Sequence, residues 1–159
     1  MKRKVYIETT IPSYYISRES HDIIIRAHQK ITKNWWNNYK ANYDLFISDA
    51  VSEEMSKGDI ALAEKRVKLI EGITILHTSK DVERLAITYA KQFKFPKEKY
   101  FDCIHIAHTV IYQLDILLTW NCTHLANVET KIKLFNFNQK NHLKVPIICS
   151  PEELIGGEI

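Results

Sequence analysis

The apolar positions along the chain alternate between a strand-like and a helix-like spacing. Residues 4–8 (Lys-Val-Tyr-Ile-Glu) are rich in β-branched and aromatic side chains and read as a short strand. Residues 9–13 follow, and Pro12 there suits a loop or the first turn of a helix. Across residues 21–39, Ile24, Ile25, Ala27, His28, Ile31, Trp35 and Trp36 recur roughly at helical spacing and predict a helix. A strand at 44–48 leads into a short helix at 49–56, capped by Ser48 or Asp49, with Gly58 just past its end. A helix at 60–70 closes at Gly72, a strand occupies 73–76, and a helix at 81–93 stops before Pro96. The most apolar helix is predicted at 100–113, then a strand at 115–119, a helix at 124–137 and a strand at 145–149. Pro151-Glu-Glu-Leu reads as a last helical turn, with Gly156 and Gly157 in a frayed tail.

Strands that alternate with helices predict βαβ units and a mainly parallel sheet covered on both faces, an α/β class. No internal repeat or low-complexity stretch divides the chain, so residues 1–159 are expected to form one domain. With 159 residues and 45% hydrophobic content, that domain can bury a full core.

Composition narrows the function classes. No apolar run is long enough to span a bilayer. The basic start, Met1-Lys-Arg-Lys-Val, lacks the apolar region of a signal peptide because Glu8 interrupts it, so a cytoplasmic protein is expected. Cys103, Cys122 and Cys149 are odd in number and widely spaced, which argues against a disulfide framework. No Cys-x-x-Cys pair offers a structural zinc site. The net charge of +3 is compatible with RNA binding without being evidence for it.

In open parallel sheets ligands bind beyond the carboxyl ends of the strands. Glu8 ends the first strand, and Thr119, with Trp120 and Asn121 just after it, ends the fourth; if both strands are central and parallel, these ends share one rim. In the Glu53-Glu54 pair, Glu54 lies about 40° from the centre of the face made by Ala50, Val51 and Met55, and Glu53 about 140° away. Glu54 is therefore expected to point inward, where a carboxylate needs a hydrogen bond, a counter-charge or a metal. Asp102 opens the most apolar helix, whose positive end stabilises an anion. It could orient His105 one turn on, or share a site with it. His105 and His108 form His-x-x-His near Cys103 but lack the intervening glutamate of a zinc-protease helix. Carboxylates gathered from distant positions would offer the oxygen ligands that Mg²⁺ and Mn²⁺ prefer. Tyr14, Tyr15 and Arg18 follow Glu8 closely and are candidate substrate contacts, whereas Trp35 and Trp36 are expected in the core or at a dimer interface.

The segments Val5-Tyr-Ile-Glu-Thr-Thr-Ile-Pro-Ser-Tyr-Tyr, Ile47-Ser-Asp-Ala-Val-Ser-Glu-Glu-Met, Phe101-Asp-Cys-Ile-His-Ile-Ala and Leu117-Leu-Thr-Trp-Asn-Cys-Thr-His-Leu-Ala-Asn occur in PIN-domain order. The chain resembles VapC-type toxins of type II toxin–antitoxin pairs over almost its whole length. The resemblance implies a three-layer α/β/α sandwich and a Mg²⁺- or Mn²⁺-dependent endoribonuclease that leaves a 5′-phosphate and a 3′-hydroxyl. It assigns metal binding to Glu8, Glu54 and Asp102, and positioning of water to Thr119 and Asn121. It also implies a small antitoxin partner and a homodimer. The chain departs from the pattern at Glu8, where the family usually has Asp, and at Asn121 and His124, where a further Asp often stands. Two alternatives remain at this stage: a PIN-fold module with weak or lost catalysis that binds RNA or protein, and a phosphate-binding α/β enzyme, which lacks the expected Gly-rich loop.

Overall fold

A computed structural model describes residues 1–155, so the expected tail at Gly156 and Gly157 lies outside the described residues. Five strands, β1 (Arg3–Ile7), β2 (Tyr43–Ser48), β3 (Thr74–Leu76), β4 (Ile116–Leu118) and β5 (Ile147–Cys149), form one sheet in the order β3-β2-β1-β4-β5. Every pairing is parallel. The intervening helices are α1 (Thr10–Ile16), α2 (Ile23–Asn38), α3 (Asp49–Met55), α4 (Ile60–Leu69), α5 (Lys80–Gln92), α6 (Tyr100–Ile111), α7 (Val128–Lys140) and α8 (Pro151–Ile155). The path runs outward from β1 through β2 to β3, then crosses to β4 and β5 on the other side of β1. Right-handed crossovers in opposite directions place helices on opposite faces of the sheet.

Local chemistry sets the element ends. Asp22, Ser48, Asp59, Ser79 and Asn127 each accept a backbone N–H at the start of α2, α3, α4, α5 and α7. Gly58 and Gly72 adopt φ of +88° and +85° just beyond α3 and α4, a conformation that other residues enter only at a cost. Pro12 sits in the first turn of α1, where its missing N–H is not needed, and the helix runs on to Ile16.

The last long helix departs from expectation. It begins at Val128 rather than at 124. Asn121 intercepts the preceding N–H groups: its Oδ1 accepts from His124 N at 3.1 Å, and its carbonyl accepts from Leu125 N at 3.1 Å and Ala126 N at 2.8 Å. Residues 122–125 therefore form a turn, and Asn127 caps the helix that follows.

The central strands β1 and β4 are buried on both faces, with Val5, Tyr6, Ile7, Leu117 and Leu118 all at 0% exposure. Trp35 and Trp36 pack in the core, as the helical spacing suggests. Among the described residues no helix is long and apolar enough to cross a membrane.

Candidate active site at the carboxyl rim of the central strands

The adjacency of β1 and β4 puts their carboxyl ends side by side. Glu8, one residue past β1, still donates its N–H to Leu118 O at 3.1 Å, although its side chain is buried. Its Oε2 accepts from Thr119 Oγ1 at 2.7 Å, from Thr10 N at 3.1 Å and from Thr10 Oγ1. All three bonds fall on Oε2 and none on Oε1. Burial pushes the Glu8 pKa up, against the opposing charge of His105 and the bonds from Thr10 and Thr119.

Asp102 stands in the first turn of α6. Its Oδ1 accepts from Asn121 Nδ2 at 3.3 Å, whereas its Oδ2 is buried with no partner. Burial raises its pKa, while His105, His124, Lys99 and the Asn121 bond oppose the rise. Asn121 N also donates to Thr119 Oγ1 at 2.9 Å. Thr119 and Asn121 thus stitch Glu8 to Asp102 through consecutive hydrogen bonds.

Glu54 turns inward on α3, and Glu53 faces water, paired with Lys57 at 3.6 Å. The Glu54 Oε1 meets His105 Nε2 at 2.8 Å. His105 is oriented by Glu54 and by Tyr6, whose hydroxyl lies 2.6 Å from His105 Nδ1, rather than by a hydrogen bond to Asp102. The His105 imidazole is 1% exposed. Burial pulls its pKa down, but the Glu54 bond and the charges of Glu8, Glu54 and Asp102 outweigh this and raise it. The charges of all three carboxylates act on this one buried ring.

The three candidate substrate contacts separate in space. Tyr14 lies beside Trp120 and His28, with ring centroids at 6.4 and 6.3 Å, and the nearby charge of Glu8 adds to a rise in its pKa caused first by burial. Tyr15 instead packs on Trp36 and donates to Asn37 Oδ1 at 3.0 Å. Arg18 is exposed after α1, and its carbonyl accepts from Gln29 Nε2 at 2.9 Å. Three participants were not read from the sequence as site residues: Thr10, Ser48 and Tyr6. Alternation along β1 was the available signal for Tyr6, since it lies two residues from Glu8 and shares its side of the strand.

His105 and His108 do not act as a pair. His108 Nε2 meets Thr78 Oγ1 at 2.9 Å, and Thr78 N donates to Asp49 Oδ2 at 2.9 Å. Among the described residues no three His, Cys, Asp or Glu side chains stand as a formed metal site. The donors at the rim still suit a hard ion. Mg²⁺ is commonly held by one or two carboxylates with waters completing its shell. Asp102 Oδ2 is a buried oxygen lacking a partner, and Glu8 keeps one oxygen clear of hydrogen bonds. An apolar groove of 740 Å³ between α4 and β3, lined by Ile60, Val67, Ile73 and Ile75, contains none of these carboxylates.

Among solved structures, the chain aligns with a chain of VapBC2 from Rickettsia felis, bound to a DNA fragment from their promoter. The TM-score is 0.57 and the identity 13%, over 92% of this chain and 98% of that one. The two share a fold. No family profile matches the sequence, and no curated protein matches it. The α/β architecture with its five parallel strands agrees with the PIN-like arrangement that the motif order implied.

Proposed function

We propose that the protein is a metal-dependent endoribonuclease and the toxin of a toxin–antitoxin pair. The observation that carries the reading is the buried, unpartnered Oδ2 of Asp102, joined to Glu8 through Asn121 and Thr119 at the carboxyl rim of the sheet. Such an oxygen is costly unless a cation or a donor meets it. Glu8 and Asp102 would hold Mg²⁺ or Mn²⁺, with Glu54 as the third carboxylate. The bound ion supplies positive charge to the phosphoryl oxygens of the RNA. Thr119 fixes Glu8, and Asn121 fixes Asp102 and can orient a water beside it. Tyr14, at the edge of the rim, meets the substrate.

The fold neighbour is part of a VapBC2 assembly, which supports a small antitoxin as partner. A homodimer and a cytoplasmic location complete the reading. The test is incubation of the purified protein with structured RNAs and Mn²⁺ beside Asp102→Asn. Cleavage by the wild type alone supports the assignment, and equal cleavage by both rejects it.

A second reading, a binding module without catalysis, is favoured by the lack of a three-ligand metal site among the described residues. Measurable Mn²⁺ affinity separates the two, because only the nuclease needs it.

A further inference from the structure

We propose that Tyr6 is a positioning residue for this centre: through His105, its buried hydroxyl fixes the direction in which Glu54 presents its carboxylate. The inference rests on the nuclease reading of the rim.

A continuous hydrogen-bond chain leads from the core to the site. Val51 N donates to Ser48 Oγ at 3.2 Å, Ser48 Oγ lies 2.7 Å from the Tyr6 hydroxyl, and that hydroxyl lies 2.6 Å from His105 Nδ1. His105 Nε2 then meets Glu54 Oε1 at 2.8 Å. Ser48, Tyr6 and His105 are all buried, so water does not stand in for a missing partner. One directed arrangement leaves no hydrogen unpaired. Ser48 donates to Tyr6, Tyr6 donates to His105 Nδ1, and the Nε2–H faces Glu54. Each residue comes from a different element: Ser48 ends β2, Tyr6 lies in β1 and His105 in α6.

Glu54 needs such a hold. It sits on the seven-residue α3 with its side chain 28% exposed, so without His105 the carboxylate is free to turn to water. Ion sites tolerate little misplacement of a ligand. The Tyr6 ring itself is fixed by packing, stacked on His108 with centroids 6.1 Å apart. Tyr6→Phe therefore removes the hydroxyl and keeps the ring.

The test compares wild type, Tyr6→Phe, His105→Gln and the double variant, each shown folded by circular dichroism. Mn²⁺ affinity is read by electron paramagnetic resonance, and RNA cleavage gives kcat and KM. Tyr6→Phe is expected to weaken Mn²⁺ binding about tenfold or more, the usual effect of losing a partner behind a ligand. It should lower kcat at unchanged KM. In the His105→Gln background Tyr6→Phe should add nothing further, because both act on one path. Wild-type Mn²⁺ affinity and kcat in Tyr6→Phe, or additive losses in the double variant, would overturn the proposal. A separate readout stands apart from activity. Imidazole nitrogen correlations in the metal-free protein should place a hydrogen on Nε2 of His105 in the wild type and lose that fixed pattern in Tyr6→Phe. An intact pattern in the variant overturns the positioning role, whereas a wild type that holds the pattern yet binds no Mn²⁺ overturns the nuclease reading instead.

Discussion

Asn121 holds one oxygen of Asp102, at 3.3 Å, and leaves the other buried with nothing to accept. That imbalance works against the fold. Burial raises the Asp102 pKa above its ordinary 3.8, so the folded state keeps its proton to higher pH than the unfolded state. Stability is consequently lost as pH rises through the folded pKa, and the loss is absent below the unfolded value. Asp102→Asn removes the charge and should stabilise the protein at pH 8 by about 0.5–2 kcal/mol, the range of a typical stabilising change. Its advantage should vanish near pH 3. Urea midpoints at both pH values check this, and equal midpoints at pH 8 would contradict it.

Under the proposed nuclease reading, the same carboxylate should make stability depend on divalent ions. A ligand that binds only the folded state adds about 2.7 kcal/mol at one hundred times its dissociation constant. Mn²⁺ should raise the melting temperature of the wild type and leave Asp102→Asn unmoved. A calorimetric scan with and without the ion decides the matter, and a similar rise in both proteins would place the ion elsewhere.

Thr119 ties the two halves of the rim, donating to Glu8 Oε2 at 2.7 Å and accepting from Asn121 N at 2.9 Å. Thr119→Val keeps the shape but strips both bonds from a residue at 0% exposure. The expected cost is about 1–3 kcal/mol for leaving buried polar groups unsatisfied. Under the proposed nuclease reading cleavage should fall as well, because Glu8 loses one of its three donors. Denaturant unfolding together with RNA cleavage tests both effects.

How much of this was visible beforehand depends on the range of the interaction. The β-branched and aromatic run of β1 and the helical spacing around Trp35 and Trp36 report burial directly, so the parallel sheet and the core were legible. The inward turn of Glu54 followed from the same wheel. The boundary of α7 was not legible, because it depends on Asn121 capturing His124, Leu125 and Ala126, a choice made by one side chain and one carbonyl. The link from Glu54 through His105 and Tyr6 to Ser48 joins four elements; no local spacing encodes it.

His108 offers a titration that opposes that of Asp102. Burial lowers its pKa from 6.5 to about 4, with the charge of His77 and His105 assisting and Asp49 resisting. The folded state thus binds fewer protons than the unfolded one between these values. Its stabilising contribution is complete above pH 6.5 and is lost as pH falls toward 4, by roughly 3 kcal/mol at most. His108→Leu should flatten this part of the profile, and the Thr78 hydroxyl still keeps its bond to Asp49 in that variant. Urea unfolding of both proteins between pH 7 and pH 4 measures the difference. Parallel profiles would show that His108 does not titrate as described.

Trp120 couples the rim to α2, and its replacement should separate packing from positioning. Its Nε1 donates to Thr32 Oγ1 at 2.6 Å, its backbone N donates to Thr10 Oγ1 at 2.9 Å, and its indole stacks on His28 with centroids 4.0 Å apart. Trp120→Phe keeps an aromatic face for His28 but loses the indole N–H, leaving the Thr32 hydroxyl with its bond to the His28 carbonyl. The expected loss is about 0.5–1.5 kcal/mol, one net hydrogen bond. Trp120→Ala also empties a site that is only 7% exposed and should cost about 3–5 kcal/mol. The residues on either side, Thr119 and Asn121, hold Glu8 and Asp102, so collapse at Trp120 must shift both. If the rim cleaves RNA as proposed, Trp120→Ala should therefore lose cleavage even under conditions where it is fully folded, while Trp120→Phe should retain most of it. Urea unfolding sets those conditions and RNA cleavage supplies the readout. Full activity in folded Trp120→Ala would mean that the rim holds its geometry without the indole.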